Sequence, residues 1–268
     1  MDETITSPSN QIIKDAKSLH KKRFRWDKRR FFIEGVRAVE ESIISKAEID
    51  YVLHSDMLFS VKGGDKLFDQ IKLLQCRSYH ISDKLFQEIT DTESPQGVFA
   101  SVKFNIHDIE SVLADKGNFF ILLDRVQDPG NLGTIIRTAD AFGSNGIIVT
   151  NGCVDVFNPK TIRSTMGSIF HTPLLYYNEI NDAIKDLKNR GIQIMSTSLD
   201  SSNYCYDIDF KTNFALVIGN EASGVSESII NASDCLIKIP MQGKAESLNV
   251  AIASAVIMYE VLRQRQNI

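Results

Sequence analysis

The sequence has no CxxC pair: its four cysteines, Cys76, Cys153, Cys205 and Cys235, lie far apart with no histidine cluster beside them. That spacing predicts reduced, buried thiols, with neither a zinc site nor a disulfide framework, and no metal is expected. The sequence also lacks an apolar run of about 18 residues and a basic-then-apolar leader, so neither a membrane span nor a secretory signal is expected. The cytoplasm is the default compartment. A GxGxxG loop is missing as well, which argues against a nicotinamide-dependent oxidoreductase. What remains is an ordinary globular composition, and 268 residues suggest about two domains.

The formal net charge of −4 hides an asymmetry. Between Gln11 and Arg30, nine Lys and Arg residues face two acids, Asp15 and Asp27, with His20, Phe24 and Trp26 interleaved. One reading is a solvated helix face. The other is a nucleic-acid surface, because cations displace phosphate counterions and rings stack on bases.

Residues 1–9 read as a polar terminus, frayed or docked, and 11–30 as largely helical. Short apolar strands then alternate with helices through RRFFIEG, IDYVLHS, CRSYHIS and residues 97–104, a small α/β domain. It contains no phosphate loop and no paired acid and base, so it suits recognition better than chemistry. After a polar connector, strands recur at NFFILLDRV, GIIVT, TPLLYY, IQIMSTSL, FALVIGN and CLIKIP, separated by helical patterns. This alternation predicts a mostly parallel sheet covered on both sides, with ligands beyond the carboxyl ends of its strands.

Three strand-end stretches qualify. In DRVQDPGNLGTIIRTADAFG, Pro129 and Gly130 form a turn, Asn131 starts a helix, and Arg137 is expected roughly on the same side of it. Arg137 is either a partner in a surface salt bridge or a lid on apolar packing, or else a grip on phosphate or ribose oxygens. In VIGNEASGVSE, Gly219 admits a close ligand, and Asn220 and Glu221 serve either the turn before Gly224 or a site. In the third stretch Lys244, Glu246, Ser247 and Asn249 precede a long helix, which Asn249 could cap. That helix carries small residues at Ala251, Ala253, Ser254 and Ala255, and apolar ones on more than one face, so it is expected to be buried within the domain or against a partner. Three loops ending strands of one sheet can converge on one pocket.

NLGTIIRTADAFG, VIGNEASGV and IPMQGKAESLNVAIASAVIMYE resemble, in order, the three motifs of the SpoU/TrmH family of S-adenosylmethionine-dependent RNA ribose 2′-O-methyltransferases, within the SPOUT superfamily. The intervening NPKTIRSTMGSIF and the upstream FFIEGVRAVEE resemble the same subgroup. The resemblance implies a basic extension (1–27), a ribosomal-protein-like α/β domain that binds the RNA substrate (28–104), a linker (105–117) and an α/β methyltransferase domain with a deep trefoil knot (118–268). It further implies Arg137 as the leading catalytic residue, oriented with the ribose by Asn131, Glu221, Ser247 and Asn249. Backbone groups at Gly219, Ile239, Met241 and Leu248 are expected to hold S-adenosylmethionine, with Thr197, Ser198 and Leu199 lining its pocket. A homodimer through the knotted domains is implied too. Ribosomal RNA is the favoured substrate, and transfer RNA, or a non-catalytic RNA-binding protein on the same fold, stays open.

Overall fold

The computed structural model describes residues 3–266. They fall into two compact units, one of residues up to 105 together with 157–170, the other of 106–156 together with the residues from 171 onward.

The first unit contains β1 (Glu3–Ile5), α1 (Gln11–Ser18), α2 (Lys22–Lys28), β2 (Arg30–Glu34), α3 (Val36–Ile44), β3 (Ile49–His54), α4 (Gly64–Lys72), β4 (Arg77–Ile81), α5 (Asp83–Ile89) and β5 (Val98–Lys103). Its sheet has the order β1-β4-β3-β5-β2, with β5 antiparallel to both neighbours and the remaining pairs parallel. β1 falls in the stretch read as a polar terminus. It is docked because Ile5, 3% exposed, enters the core beside Tyr79 and Ile81. The helix expected over 11–30 is broken in two: α1 is capped by Asn10, whose side chain accepts from the Ile12 amide at 2.8 Å, and Leu19 turns into the core where α1 ends. α2 then stops at Arg29 in a left-handed conformation. The basic run divides accordingly. Arg25 is buried and donates to the Leu19 and His20 carbonyls, and Lys28 and Arg30 both reach Asp15, whereas Lys14, Lys21, Lys22 and Arg29 stay exposed around Phe24. Phe157, which lies in sequence between strands of the second unit, stacks on Phe104 and Phe31 here.

The second unit contains β6 (Phe119–Leu123), α6 (Pro129–Ala141), β7 (Gly146–Thr150), β8 (Leu174–Tyr177), α8 (Ile180–Asn189), β9 (Gln193–Thr197), β10 (Phe214–Ile218), α9 (Glu227–Ala232), β11 (Cys235–Ile237) and α10 (Val250–Gln266). The short α7 (Pro159–Thr165) between β7 and β8 belongs to the first unit. All pairs in the sheet, ordered β11-β9-β10-β6-β7-β8, are parallel. Every residue of β6, β7 and β10 is buried, as expected of unbroken β-branched and aromatic runs covered on both faces. From β6 the chain runs outward through β7 and β8, then returns on the other side to β9 and β10. The adjacent carboxyl ends of β6 and β10 are therefore the switch point where such sheets bind ligands.

α10 packs on α6 through Ala251, Ser254, Met258 and Val261, spaced three and four apart on one buried face. The opposite face stays bare, with Ile252 52%, Val256 40% and Tyr259 54% exposed. At its end Arg265 donates to the Phe210 and Thr212 carbonyls at 2.9 and 3.1 Å, its guanidinium lying over the rings of Phe119 and Phe214. All four cysteines are free; Cys205 is buried and the other three are half-buried. No helix among the described residues is long and apolar enough to cross a membrane.

Candidate active site

The switch point carries a chain of hydrogen bonds linking the three expected loops. α6 begins two residues earlier than the sequence suggested, because Pro129 takes the first helical position and Asp128 caps it, accepting from the Asn131 amide at 2.8 Å. This leaves the Asn131 side chain free to face the β10 loop, where its Nδ2 donates to Glu221 Oε1 at 3.1 Å. The same carboxylate accepts the Asp128 amide at 2.9 Å and the Gln127 amide at 3.1 Å. Partial burial alone would raise the Glu221 pKa. The Asp128 amide, the Asn131 side chain and the Gln127 amide reverse that, and the net shift is downward, so Glu221 is ionised at neutral pH.

Asn249 closes the chain from the third loop. Its Nδ2 donates to Asn131 Oδ1 at 3.0 Å, while its own Oδ1 caps α10 by accepting from the Ala251 and Ile252 amides at 2.9 and 3.3 Å. One side chain thus caps the helix and links two loops, by different atoms.

Arg137 and Ser247 stand outside this network. Six residues along a helix is about 1.7 turns, or about 120° of rotation, so Arg137 does not share a side with Asn131. It is exposed on α6 and forms no hydrogen bond or ion pair with any described residue, leaving its guanidinium available to an anion. Ser247 is exposed and equally unbonded among the described residues.

Of the residues expected around the cofactor, Thr197 closes β9, and Ser198, Gly219 and Ile239 follow the ends of β9, β10 and β11. Thr197 Oγ1 donates to the Val217 carbonyl at 3.3 Å, and the Ser198 amide to the Ile237 carbonyl at 3.0 Å, tying the three strand ends together. Gly219 is required on steric grounds, since a Cβ there would lie 2.2 Å from the Val225 nitrogen. Leu199, Met241 and Leu248 present exposed apolar side chains. Ile239, Met241 and Leu248 make no backbone hydrogen bond with any described residue, so their main-chain groups can pair with the edge of a neutral ring. Free main-chain donors and acceptors beside uncharged apolar side chains suit an adenosyl group. Among the described residues no cluster could hold a metal ion. Sequence reasoning passed over Asp124, Arg125 and Asp128; an aspartate closing a fully buried strand was the one signal for them.

Comparison with known proteins matches this geometry. Residues 118–259 match the SpoU rRNA Methylase family, and residues 10–100 match the MRM3-like substrate binding domain, which thus takes in the basic helices. The chain is 37% identical over 258 residues to the 23S rRNA (guanosine(2553)-2′-O)-methyltransferase RlmP of Bacillus subtilis, covering 96% of this chain and 98% of that protein. It is 32% identical to the 23S rRNA (uridine(2479)-2′-O)-methyltransferase of Streptomyces viridochromogenes, covering 88% of this chain and 83% of that one. A crystal structure of an AdoMet-bound rRNA methyltransferase from Sinorhizobium meliloti superimposes with a TM-score of 0.86 at 31% identity, covering 98% of both chains. A family match over more than half the sequence, a relative aligned over nearly the whole of it, and a shared arrangement of strands and loops give one conclusion: this chain belongs to the SpoU rRNA methylase family.

Proposed function

We propose that the protein transfers a methyl group from S-adenosylmethionine to a ribose 2′-hydroxyl of ribosomal RNA in the cytoplasm. The observation that carries this reading is the Asn249–Asn131–Glu221 chain, which joins three separate strand-end loops, two of which carry the exposed apolar Met241 and Leu248 or the sterically required Gly219. Two relatives that align over most of their length are named for 23S rRNA, which favours ribosomal over transfer RNA. They differ in the base they are named for, guanosine in one and uridine in the other.

Backbone groups at Gly219, Ile239, Met241 and Leu248 would hold the adenosyl moiety, with Thr197, Ser198 and Leu199 along its side. The cofactor supplies an electrophilic methyl on a sulfonium. A ribose hydroxyl is a weak nucleophile, so charge developing on its oxygen must be offset as its proton leaves. A guanidinium offers five donors and no acceptor, which suits Arg137 to electrostatic work: holding the substrate phosphate and dispersing charge on the 2′-oxygen. Asn131, Glu221 and Asn249 fix the loop walls, and Ser247 would donate to the ribose.

Residues 28–104 would deliver the RNA and residues 118–268 carry the chemistry, joined by 105–117, with the final segment threaded as a trefoil knot. Lys14, Lys21, Lys22 and Arg29, exposed around Phe24 in the 1–27 extension and just beyond it, suit an unpaired RNA segment whose phosphates they neutralise and whose bases stack. The bare Ile252, Val256 and Tyr259 stripe of α10 supports a homodimer through the second unit.

Methyl transfer from radiolabelled cofactor to ribosomal RNA tests the reading. Arg137→Ala is expected to abolish transfer while cofactor affinity by calorimetry stays near normal; retained turnover would refute the role of Arg137. A wild-type protein that binds RNA but no cofactor would instead make it a non-catalytic RNA-binding protein. Mapping ribose methylation in cells with and without the gene identifies the nucleotide.

A further inference from the structure

The loop carrying Glu221 is fixed at both of its ends by two residues at the end of β6 that stand outside the expected site. Asp124 is 2% exposed, and Arg125 follows it with φ of 57°, a left-handed backbone that crowds the Cβ of any L residue. In that conformation the Arg125 carbonyl receives Asn220 Nδ2 at 2.9 Å. The Arg125 guanidinium lies along the Asp124 carboxylate, with Nε 2.9 Å from Oδ1 and the second nitrogen 3.1 Å from Oδ2. Oδ2 also accepts the Ser226 amide at 2.8 Å.

Loop 219–226 is therefore tied at its start by the Arg125 backbone and at its end by the carboxylate that the Arg125 side chain grips. Between the ties the loop is closed on itself: Asn220 and Gly224 exchange backbone hydrogen bonds at 3.0 and 2.9 Å across the narrow neck at Gly219. Such a closed loop moves as one piece, so residues 124 and 125 set where Glu221 meets Asn131. If only the backbone tie mattered, glycine would serve better at 125, because it adopts positive φ without strain and still offers a carbonyl. An arginine there gives a buried carboxylate two paired hydrogen bonds that fix its direction.

We propose that Arg125 is a positioning residue for the methyl-transfer site, acting through Asp124 and Ser226 to hold Glu221 against Asn131; this rests on the methyl-transfer reading above. The test compares Arg125→Gly, which keeps the backbone tie and relieves the strain, with Arg125→Lys, which keeps the charge but not the paired hydrogen bonds. Hydrogen exchange of a peptide spanning 219–227 is expected to speed up about tenfold in Arg125→Gly and less in Arg125→Lys, with the unfolding midpoint little changed. Turnover is expected to fall about tenfold in Arg125→Gly. Unchanged exchange in that peptide overturns the proposal, as does faster exchange with wild-type turnover. A fall in turnover matched by a fall in unfolding midpoint in both variants assigns the arginine to fold maintenance and overturns it too. If the wild-type protein transfers no methyl group, the functional reading fails, while the exchange comparison still decides whether the clamp exists.

Discussion

Asn249 offers a way to separate stability from positioning within one side chain. Its Oδ1 caps α10 and its Nδ2 holds Asn131, so serine at 249 keeps a capping oxygen but loses the donor, and alanine loses both. Loss of an N-cap costs about 1 kcal/mol. Loss of an exposed side-chain hydrogen bond costs about 1 kcal/mol at most, since water replaces the partner. Asn249→Ala should therefore destabilise the second unit by about 2 kcal/mol and Asn249→Ser by about 1 kcal/mol or less. At about 2–4 °C per kcal/mol for a domain of this size, the alanine variant should melt about 4–8 °C below wild type and the serine variant about 2–4 °C below at most. Turnover should behave differently. Both variants lose the same link to Asn131, and about 1 kcal/mol of misplaced orientation is about a fivefold loss of rate. Differential scanning calorimetry and single-turnover methyl transfer measure the two quantities side by side. Serine with wild-type turnover would show that the Asn131 link does nothing for the reaction, and serine as unstable as alanine would show that the cap is not what Oδ1 contributes.

Other expectations follow from the same structure. Ile252→Glu with Val256→Glu places two charges on the bare stripe of α10 and should leave a particle of one-chain mass by light scattering; a wild-type mass already near one chain would remove the dimer instead. Burial alone would raise the pKa of Asp15, but hydrogen bonds from Lys28 and Tyr51 and the charge of Arg30 bring it below the usual carboxylate value. A depressed folded pKa means that its stabilisation is complete above the unfolded value and disappears as pH falls through the folded one. Asp15→Asn should thus cost about 2 kcal/mol at neutral pH in urea unfolding, and the gap to wild type should close in strong acid; a gap that persists there would contradict the pairing. Reversing Lys21, Lys22 and Arg29 to Glu should weaken RNA binding and lower the slope of log affinity against log salt by about 1 for each phosphate no longer neutralised. An unchanged slope in filter binding would place the RNA elsewhere.

The order of strands and helices was legible because β6, β7 and β10 are unbroken apolar runs and the helices between them repeat at the helical period. β1 was not, since three residues with one buried isoleucine leave no periodic trace. The grouping of residues 157–170 with the first unit rests on the stacking of Phe157 with Phe31 and Phe104, partners over 50 positions away in sequence that no local pattern announces. In the site, the meeting of Asn131, Glu221 and Asn249 could be inferred because each lies just past a strand of one sheet. Whether Arg137 and Ser247 joined them depended on side-chain direction, and neither is bonded to the trio. Arg125 was hidden for another reason: a left-handed arginine looks, in sequence, like any surface cation.

One consequence lies in the last helix. α10 is moored at its first turn by Asn249, above the carboxyl ends of the strands, and at its last by Arg265, against the opening rings of β6 and β10 at the opposite rim. A single inserted or deleted residue would swing one mooring by about 100° and shift it by about 1.5 Å. The outward side of this helix can therefore drift in chemistry over evolutionary time, while its residue count is held fixed, like the length of a tie rod between two bolts.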